Sequence, residues 1–544
     1  MGVPDLLKDS TLARYIDAVR NTPRQLICNW PLLFSASIYA MCGVTLTWDQ
    51  GSSSLVPSLP GFADAFDISS GANAKAIANF ISVVYIGAGI GAFVSFFLND
   101  TLGRLWSMRL YTTVWIVGQI IATFSNGSLV ALYIARVISG LGIGAHTVTG
   151  PLSLVEIAPT EIRGLITVWF SVVLLLSLFL STICVYGISL HIAASKLQYQ
   201  IVFFAPCIYL ALIIGLTFFA YESPRWLVRA GRIEEAQRNL AALRGLSADS
   251  TRVSSEFEQI VSELEKERAR TGVMTHVVSW KATRTCFVET FTVKANIRRV
   301  MQTCISYGLA QLSGANSVTS YFIPILSLIG EVGDKSHSLF LSSMYSLAKF
   351  FFTLIASFFL IDALGRRGSL FTGITIQMIS DIYIGVFLKY RAAGDVSDSS
   401  SQAAIAMIFI HGFGYTIGLL VLPYVFSSEV WPNHLRSFGS SLSQTFHWLF
   451  YFGVSRGTPS ILSSMDNWGA FIFFAGWCFI ALVYVFLMVR RPRDTASRSW
   501  IGSSRALGSW LSARKQEHTP ASSKVDSMNI ESAEQIVNLP AKSV

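Results

Sequence analysis

The sequence predicts an all-α membrane protein of twelve transmembrane helices, set out as two six-helix halves with a cytoplasmic helical insert between them. Composition is the first reason. Of 544 residues, 52% are hydrophobic and 13% charged, and the mean hydropathy is +0.52, values outside the range of a soluble globular chain. Length is the second: apolar runs near the ~20 residues that a bilayer-spanning helix needs fall at 31–48, 76–97, 110–125, 128–148, 165–188, 200–220, 299–327, 338–361, 369–388, 403–427, 437–455 and 468–488. Duplication is the third. Asp100-Thr101-Leu102-Gly103-Arg104 returns as Asp362-Ala363-Leu364-Gly365-Arg366, 262 positions on, and the E-x-x-P-x-x-x-R pattern of Glu156, Pro159 and Arg163 returns as Glu429, Pro432 and Arg436, 273 positions on. Each string sits in a polar joint between apolar runs, and paired halves of this kind are the layout that secondary carriers use for alternating access.

Residues 1–30 are polar and charged, so no cleavable signal peptide is expected there and the first apolar run is expected to stay as a helix and to act as the targeting signal. The first bundle occupies 31–220 and the second 299–490. Between them, 221–298 is a hydrophilic linker in which Glu234, Glu235, Ala236, Leu240 and Leu243, and then Phe257, Ile260, Val261 and Leu264, recur at helical spacing. The stretch 232–270 is therefore expected to form two or three short helices that bridge the halves. The tail, 491–544, is rich in Ser, Ala and charged residues without a sustained pattern and is expected to be disordered. With the N-terminus inside, about 33 of the 41 lysines and arginines fall on that same side, which puts both termini and the linker in the cytoplasm.

This bias accounts for the net charge of +9, so no nucleic-acid partner is expected. The seven cysteines lie in spans or on the cytoplasmic side without a C-x-x-C pair, which suggests neither a disulfide framework nor a zinc site. No catalytic triad, metal cluster or phosphate loop is present, and G-L-G-I-G lies inside a span instead of following a strand. Neither an enzyme nor a bound cofactor is expected.

Charge at membrane depth is the informative exception. Arg136 opens R-x-x-x-G-x-G-x-G in the fourth span; its glycines let helix backbones approach, whereas a cation there must face a partner or water. Asp49, in T-W-D-Q-G at the end of the first span, is the natural partner. A carboxylate whose proton affinity depends on the nearness of an arginine is a candidate proton site, with a fixed structural ion pair as the alternative. Lys349, near the middle of the eighth span, either pairs or snorkels for structure or faces a solute. His146 and His411 read as packing histidines.

Together the motifs resemble the sugar porter family of the major facilitator superfamily. They are T-W-D-Q-G (47–51), D-T-L-G-R (100–104), R-V-I-S-G-L-G-I-G (136–144), P-L-S-L-V-E-I-A-P-T-E-I-R-G (151–164), E-S-P-R-W-L-V-R-A-G-R (222–232), Q-L-S-G-A-N (311–316), D-A-L-G-R-R (362–367) and S-E-V-W-P-N-H-L-R (428–436), in the family's order over about 30–490. The resemblance implies the major facilitator fold and a rocking carrier of monosaccharides or polyols. It implies a solute site between the halves, and Asp49 as the protonation site beside Arg136. It also points to a latch between span ends, built from Asp100, Arg104, Glu156 and Arg163 in one half and Asp362, Arg366, Arg367, Glu429 and Arg436 in the other. Exposed ion pairs are worth only ~0–1 kcal/mol each, but several together bias a two-state switch.

The departures from that family bear on the solute. The family's binding glutamine in the fifth span is Ser171 here, the first Gln of its Q-Q-L-S-G-x-N is Ala310, and further site positions hold Tyr307, Phe350, Tyr424 and His447; Gln311, Asn316 and Trp448 remain. Fewer amides means a poorer grip on paired hydroxyls. On the reading in which Lys349 faces a solute, it and His447 make the cavity more cationic, which suits a sugar acid, a quinate-like ring acid or another carboxylate. The resulting expectation is a monomeric carrier of the plasma membrane that moves a sugar, a polyol or a sugar-acid or quinate-like solute with protons. A passive facilitator or exporter, and a non-transporting nutrient sensor, are the alternatives.

Overall fold

In the computed structural model, residues 16, 20, 22–68, 74–271, 280–330, 335–394, 396–420, 431–432 and 435–488 are described, and every regular element among them is helical. A chain this apolar has little choice, because backbone groups in lipid must find their partners within the same segment. The first span is formed by α1 (Trp30–Ala40) and α2 (Cys42–Leu55). It is followed by α3 (Ala74–Leu102), α4 (Arg104–Thr123), α5 (Leu129–Ile157), α6 (Arg163–His191) and α7 (Leu197–Leu216). In the second half, α11 (Lys294–Leu312), α12 (Ala315–Ser320) and α13 (Phe322–Ile329) make one interrupted span. Then come α14 (Lys335–Ile355), α15 (Ile361–Ala392), α16 (Asp398–Ile417), α17 (Arg436–Ser464) and α18 (Trp468–Met488).

Among the described residues, eight helical stretches are long and apolar enough to cross a membrane. The other expected spans, α4, the 294–329 stretch, α16 and α17, are also helical but carry more polar side chains. In the linker, α8 (Ile233–Arg244) and α9 (Thr251–Thr271) are the short helices expected there, and α10 (Trp280–Thr292) leads into the second half. The apolar stripe of α8 and α9 is buried: Ala236 and Leu264 close over Trp226, Leu227 and Val228 of the E-S-P-R-W-L-V segment.

The duplication seen in the sequence is also a duplication of backbone. Gly103 and Gly365, the glycines of the repeated D-x-L-G-R string, both take positive φ, at 93° and 69°. Each forms the corner between two spans, a conformation that a Cβ disfavours. The glycines of the fourth span do what small residues do in lipid: a Cβ on Gly140 would lie 2.1 Å from Val84 O, so α5 lies directly against α3. Between the halves, α3 packs on α17 and α6 on α14.

Candidate functional site

A buried polar layer lies where the halves meet. On one side of it, α2 presents Asp49, whose Oδ1 accepts from Arg136 Nη1 at 2.6 Å and from Ser53 Oγ at 3.0 Å, while Gln119 Nε2 donates to Oδ2 at 3.2 Å. Arg136 also donates Nε to Phe80 O and lies over the Phe80 ring. Asp49 and Arg136 are each 2% exposed, so the pair is buried, and removing one partner strands the other at a cost of about 3–5 kcal/mol.

On the other side, α11 stops at Leu312 and α12 restarts at Ala315, with Gly314 at φ 81° between them. On an unbroken helix, Gln311 and Asn316 would diverge. The break lets them meet: Asn316 Nδ2 donates to Gln311 Oε1 at 2.8 Å, Gln311 Nε2 contacts His447 Nδ1 at 3.2 Å, and Asn316 Nδ2 reaches Tyr415 Oη at 3.4 Å. The Tyr307 ring stands edge-on to His447. Lys349 is 3% exposed. Its ammonium donates to Thr319 Oγ1 at 3.1 Å and lies 5.6 and 5.8 Å from the Tyr345 and Tyr415 rings, and among the described residues it forms no ion pair.

Aromatic rings join the two sides. Tyr85 of α3 stacks on Tyr451 and Trp448 of α17 with centroids 4.0 and 5.7 Å apart, and Gln50 Nε2 donates to Tyr451 Oη at 2.6 Å. The halves touch on both sides of this layer, through Tyr186 and Phe340 at one end and Phe96 and Phe438 at the other. The layer brings together charge, amides and flat rings, the side-chain types that suit a polar ring-shaped solute.

The charged cluster at the span ends is equally specific. Arg104 grips Glu156 with two bonds, Nε to Oε2 at 2.9 Å and Nη2 to Oε1 at 2.8 Å, and its Nη1 reaches Asp100. Asp100 is held in turn by Arg229 at 2.9 Å. Glu222 accepts the backbone N–H groups of Arg104, Leu105 and Ser223. Burial pushes the Glu222 carboxyl above its ordinary range, against the pull of those N–H donors and of Arg104. The N-terminal cluster is therefore tied to the start of the linker. Arg163 is exposed and forms no ion pair among the described residues, and Arg367 donates to Phe486 O. Arg436 is half-buried at the start of α17. Tyr424 and Glu429, and the side chains of Asp362 and Arg366, lie outside the described residues. Ser171 is half-buried on α6.

Several participants escape sequence reasoning. Gln119, Thr319 and Tyr415 are single polar residues in apolar runs, with no motif to flag them. Glu222 stands in a quoted motif but gains its partners only through folding. His146 is a packing histidine, as expected, bonded to Thr45 and Thr112. His411 is different, since its Nε2 faces Asp381 at 3.4 Å.

Residues 35–492 match the family model described as Sugar (and other) transporter. A probable quinate permease of Aspergillus flavus is 28% identical over 479 residues, covering 86% of this chain and 87% of that protein. The quinate permease of Emericella nidulans is 27% identical over 487 residues, covering 88% and 89%. Among solved structures, the proton:xylose symporter XylE bound to 6-bromo-6-deoxy-D-glucose superposes with a TM-score of 0.71 at 18% identity, over 88% of this chain and 99% of that one. An inward-open XylE from E. coli gives 0.66 at 18%, over 87% and 98%. The fold is thus the twelve-helix major facilitator fold.

Proposed function

Because the chain belongs to the sugar (and other) transporter family, we propose that it is a proton-coupled carrier of a carboxylated, hydroxylated ring solute of the quinate type. In this reading the bundles 31–220 and 299–490 rock about the polar layer, with the 221–298 linker and both termini in the cytoplasm and the protein in the plasma membrane as a monomer. The observation that carries the choice of solute is Lys349, a buried ammonium whose one described hydrogen-bond partner is a neutral hydroxyl. Such a charge is costly at membrane depth unless something anionic offsets it, and a solute carboxylate does so when bound. Gln311, Asn316 and His447 then serve the ring hydroxyls, with Trp448 and the neighbouring rings against its face; Ser171 and Tyr424 complete the proposed contacts. The names of the quinate permease relatives support the same class of solute.

Coupling is assigned to Asp49. While ionised it is clamped by Arg136, Gln119 and Ser53. A proton on Asp49 removes the charge that holds Arg136, loosening α2 from α5, so protonation and solute binding bias the same rocking equilibrium. The Arg104, Glu156, Asp100 and Arg229 cluster acts as the latch that one state keeps and the other breaks, with Arg163, Asp362, Arg366, Arg367, Glu429 and Arg436 as its further members. Uptake of labelled quinate into proteoliposomes, with and without an inward proton gradient, tests the reading. Accumulation above equilibrium only with the gradient is expected. Accumulation of neutral hexoses in preference to quinate would overturn it.

A further inference from the structure

The second half contains a buried acid and imidazole that the solute layer does not use. Asp381 of α15 and His411 of α16 are both 0% exposed, with Oδ1 and Nε2 at 3.4 Å. The two groups approach without an aligned hydrogen bond: among the described residues, both carboxylate oxygens and both ring nitrogens lack a hydrogen-bond partner, as does Oε1 of Gln377 one turn before Asp381. Buried polar atoms are rarely left so, and here five of them cluster between two helices. Among the described residues, the titratable neighbours from the packed helices are Cys478 of α18 and Tyr345 of α14, with Lys349 one turn beyond Tyr345; α12 and α13 bring no titratable group.

We propose that Asp381 and His411 form a second proton-binding site, separate from the Asp49 and Arg136 pair. In a medium of low dielectric the pair is stable when it is neutral overall, which it becomes by taking one proton from water to share between carboxylate and imidazole, passing from net charge −1 to 0. The affinity for that proton depends on the spacing of α15 and α16. That spacing is set by a close backbone contact: a Cβ on Gly373 would lie 2.5 Å from Gly414 O. Each helix also carries a link to the solute layer. Tyr415, one turn after His411, contacts Asn316, and Gln377 Nε2 points to Ser313 Oγ at 3.5 Å beside the Gly314 break.

The test is a proton titration of the purified full-length protein without solute, followed by infrared difference spectroscopy of the protonated carboxyl stretch between about pH 4 and 10. A titrating band is expected that Asp381→Asn removes, that Asp49→Asn retains, and whose midpoint His411→Gln moves by at least about one pH unit, a tenfold change in proton affinity. If Asp381→Asn does not fold, Asp381→Glu serves instead, and the band should change frequency while still titrating. Superimposable spectra for wild type and the Asp381 variant, or an unmoved midpoint in His411→Gln, would overturn the proposal.

Discussion

Replacing Lys349 by Met separates substrate charge from everything else the residue does. The stem is kept and the ammonium lost. What the ammonium contributes to the fold is small, since it donates to Thr319 Oγ1, a hydroxyl already engaged as donor to Ala315 O. Against this stands the desolvation of a charge at 3% exposure. A buried unpaired charge costs more than one neutral hydrogen bond returns, so the variant should melt no lower than wild type. A charge-assisted hydrogen bond to a solute carboxylate is worth about 1.5–3 kcal/mol, which is a loss of about 10–150-fold in affinity for the acid. The neutral parent polyol makes no such bond and should change by less than about threefold. Competition in counterflow, with quinate and its neutral analogues against the same labelled solute, reads both numbers. Equal losses for acid and neutral analogue, or none for either, would reduce Lys349 to a structural residue with no part in choosing the solute.

Gln311→Ala and Asn316→Ala should each weaken solute binding by about 5–150-fold, the 1–3 kcal/mol of a stranded buried partner, at normal surface expression; wild-type affinity in both removes them from the site. Gly314→Ala places a Cβ 2.6 Å from the Phe474 ring at φ 81°, so protein yield and melting temperature should fall, and an unchanged melting curve would show that the break is not needed. Glu222→Gln exchanges an acceptor of three backbone N–H groups for a side chain with one acceptor oxygen, at about 1–3 kcal/mol, measured as melting temperature. The raised proton affinity of Glu222 has a definite sign: the folded state holds that proton more tightly, so its contribution to stability grows as pH falls through the folded value, and the Gln variant should lose that slope.

How much of this was legible beforehand follows from the physics of each level. The spans were, because bilayer thickness imposes length and apolarity on every one of them, and the duplicated joints were, because the D-x-L-G-R string itself returns; that Gly103 and Gly365 turn those joints at positive φ emerges only in the fold. The Asp49 and Arg136 pair was legible because intramembrane charges are rare and must meet. The same rule applied to Asp381, a lone acid in the ninth span, marks it as well, but its partner His411 looks like any buried histidine until α15 and α16 are set side by side. The tie between Glu222 and Arg104 runs through backbone N–H groups, which no side-chain pattern encodes. Tyr415 reaches Asn316 only because the helix breaks at Gly314 and turns the amide toward it.

Everything proposed about coupling rests on a proton at Asp49 driving solute movement. Concentrative uptake of labelled quinate by Asp49→Asn proteoliposomes under an inward proton gradient, beside counterflow exchange in the same vesicles, isolates that step. Accumulation should fall to the equilibrium level while exchange persists, since rocking needs no proton once Arg136 is released from a charged partner. Undiminished accumulation in Asp49→Asn would contradict a coupling role for this carboxylate.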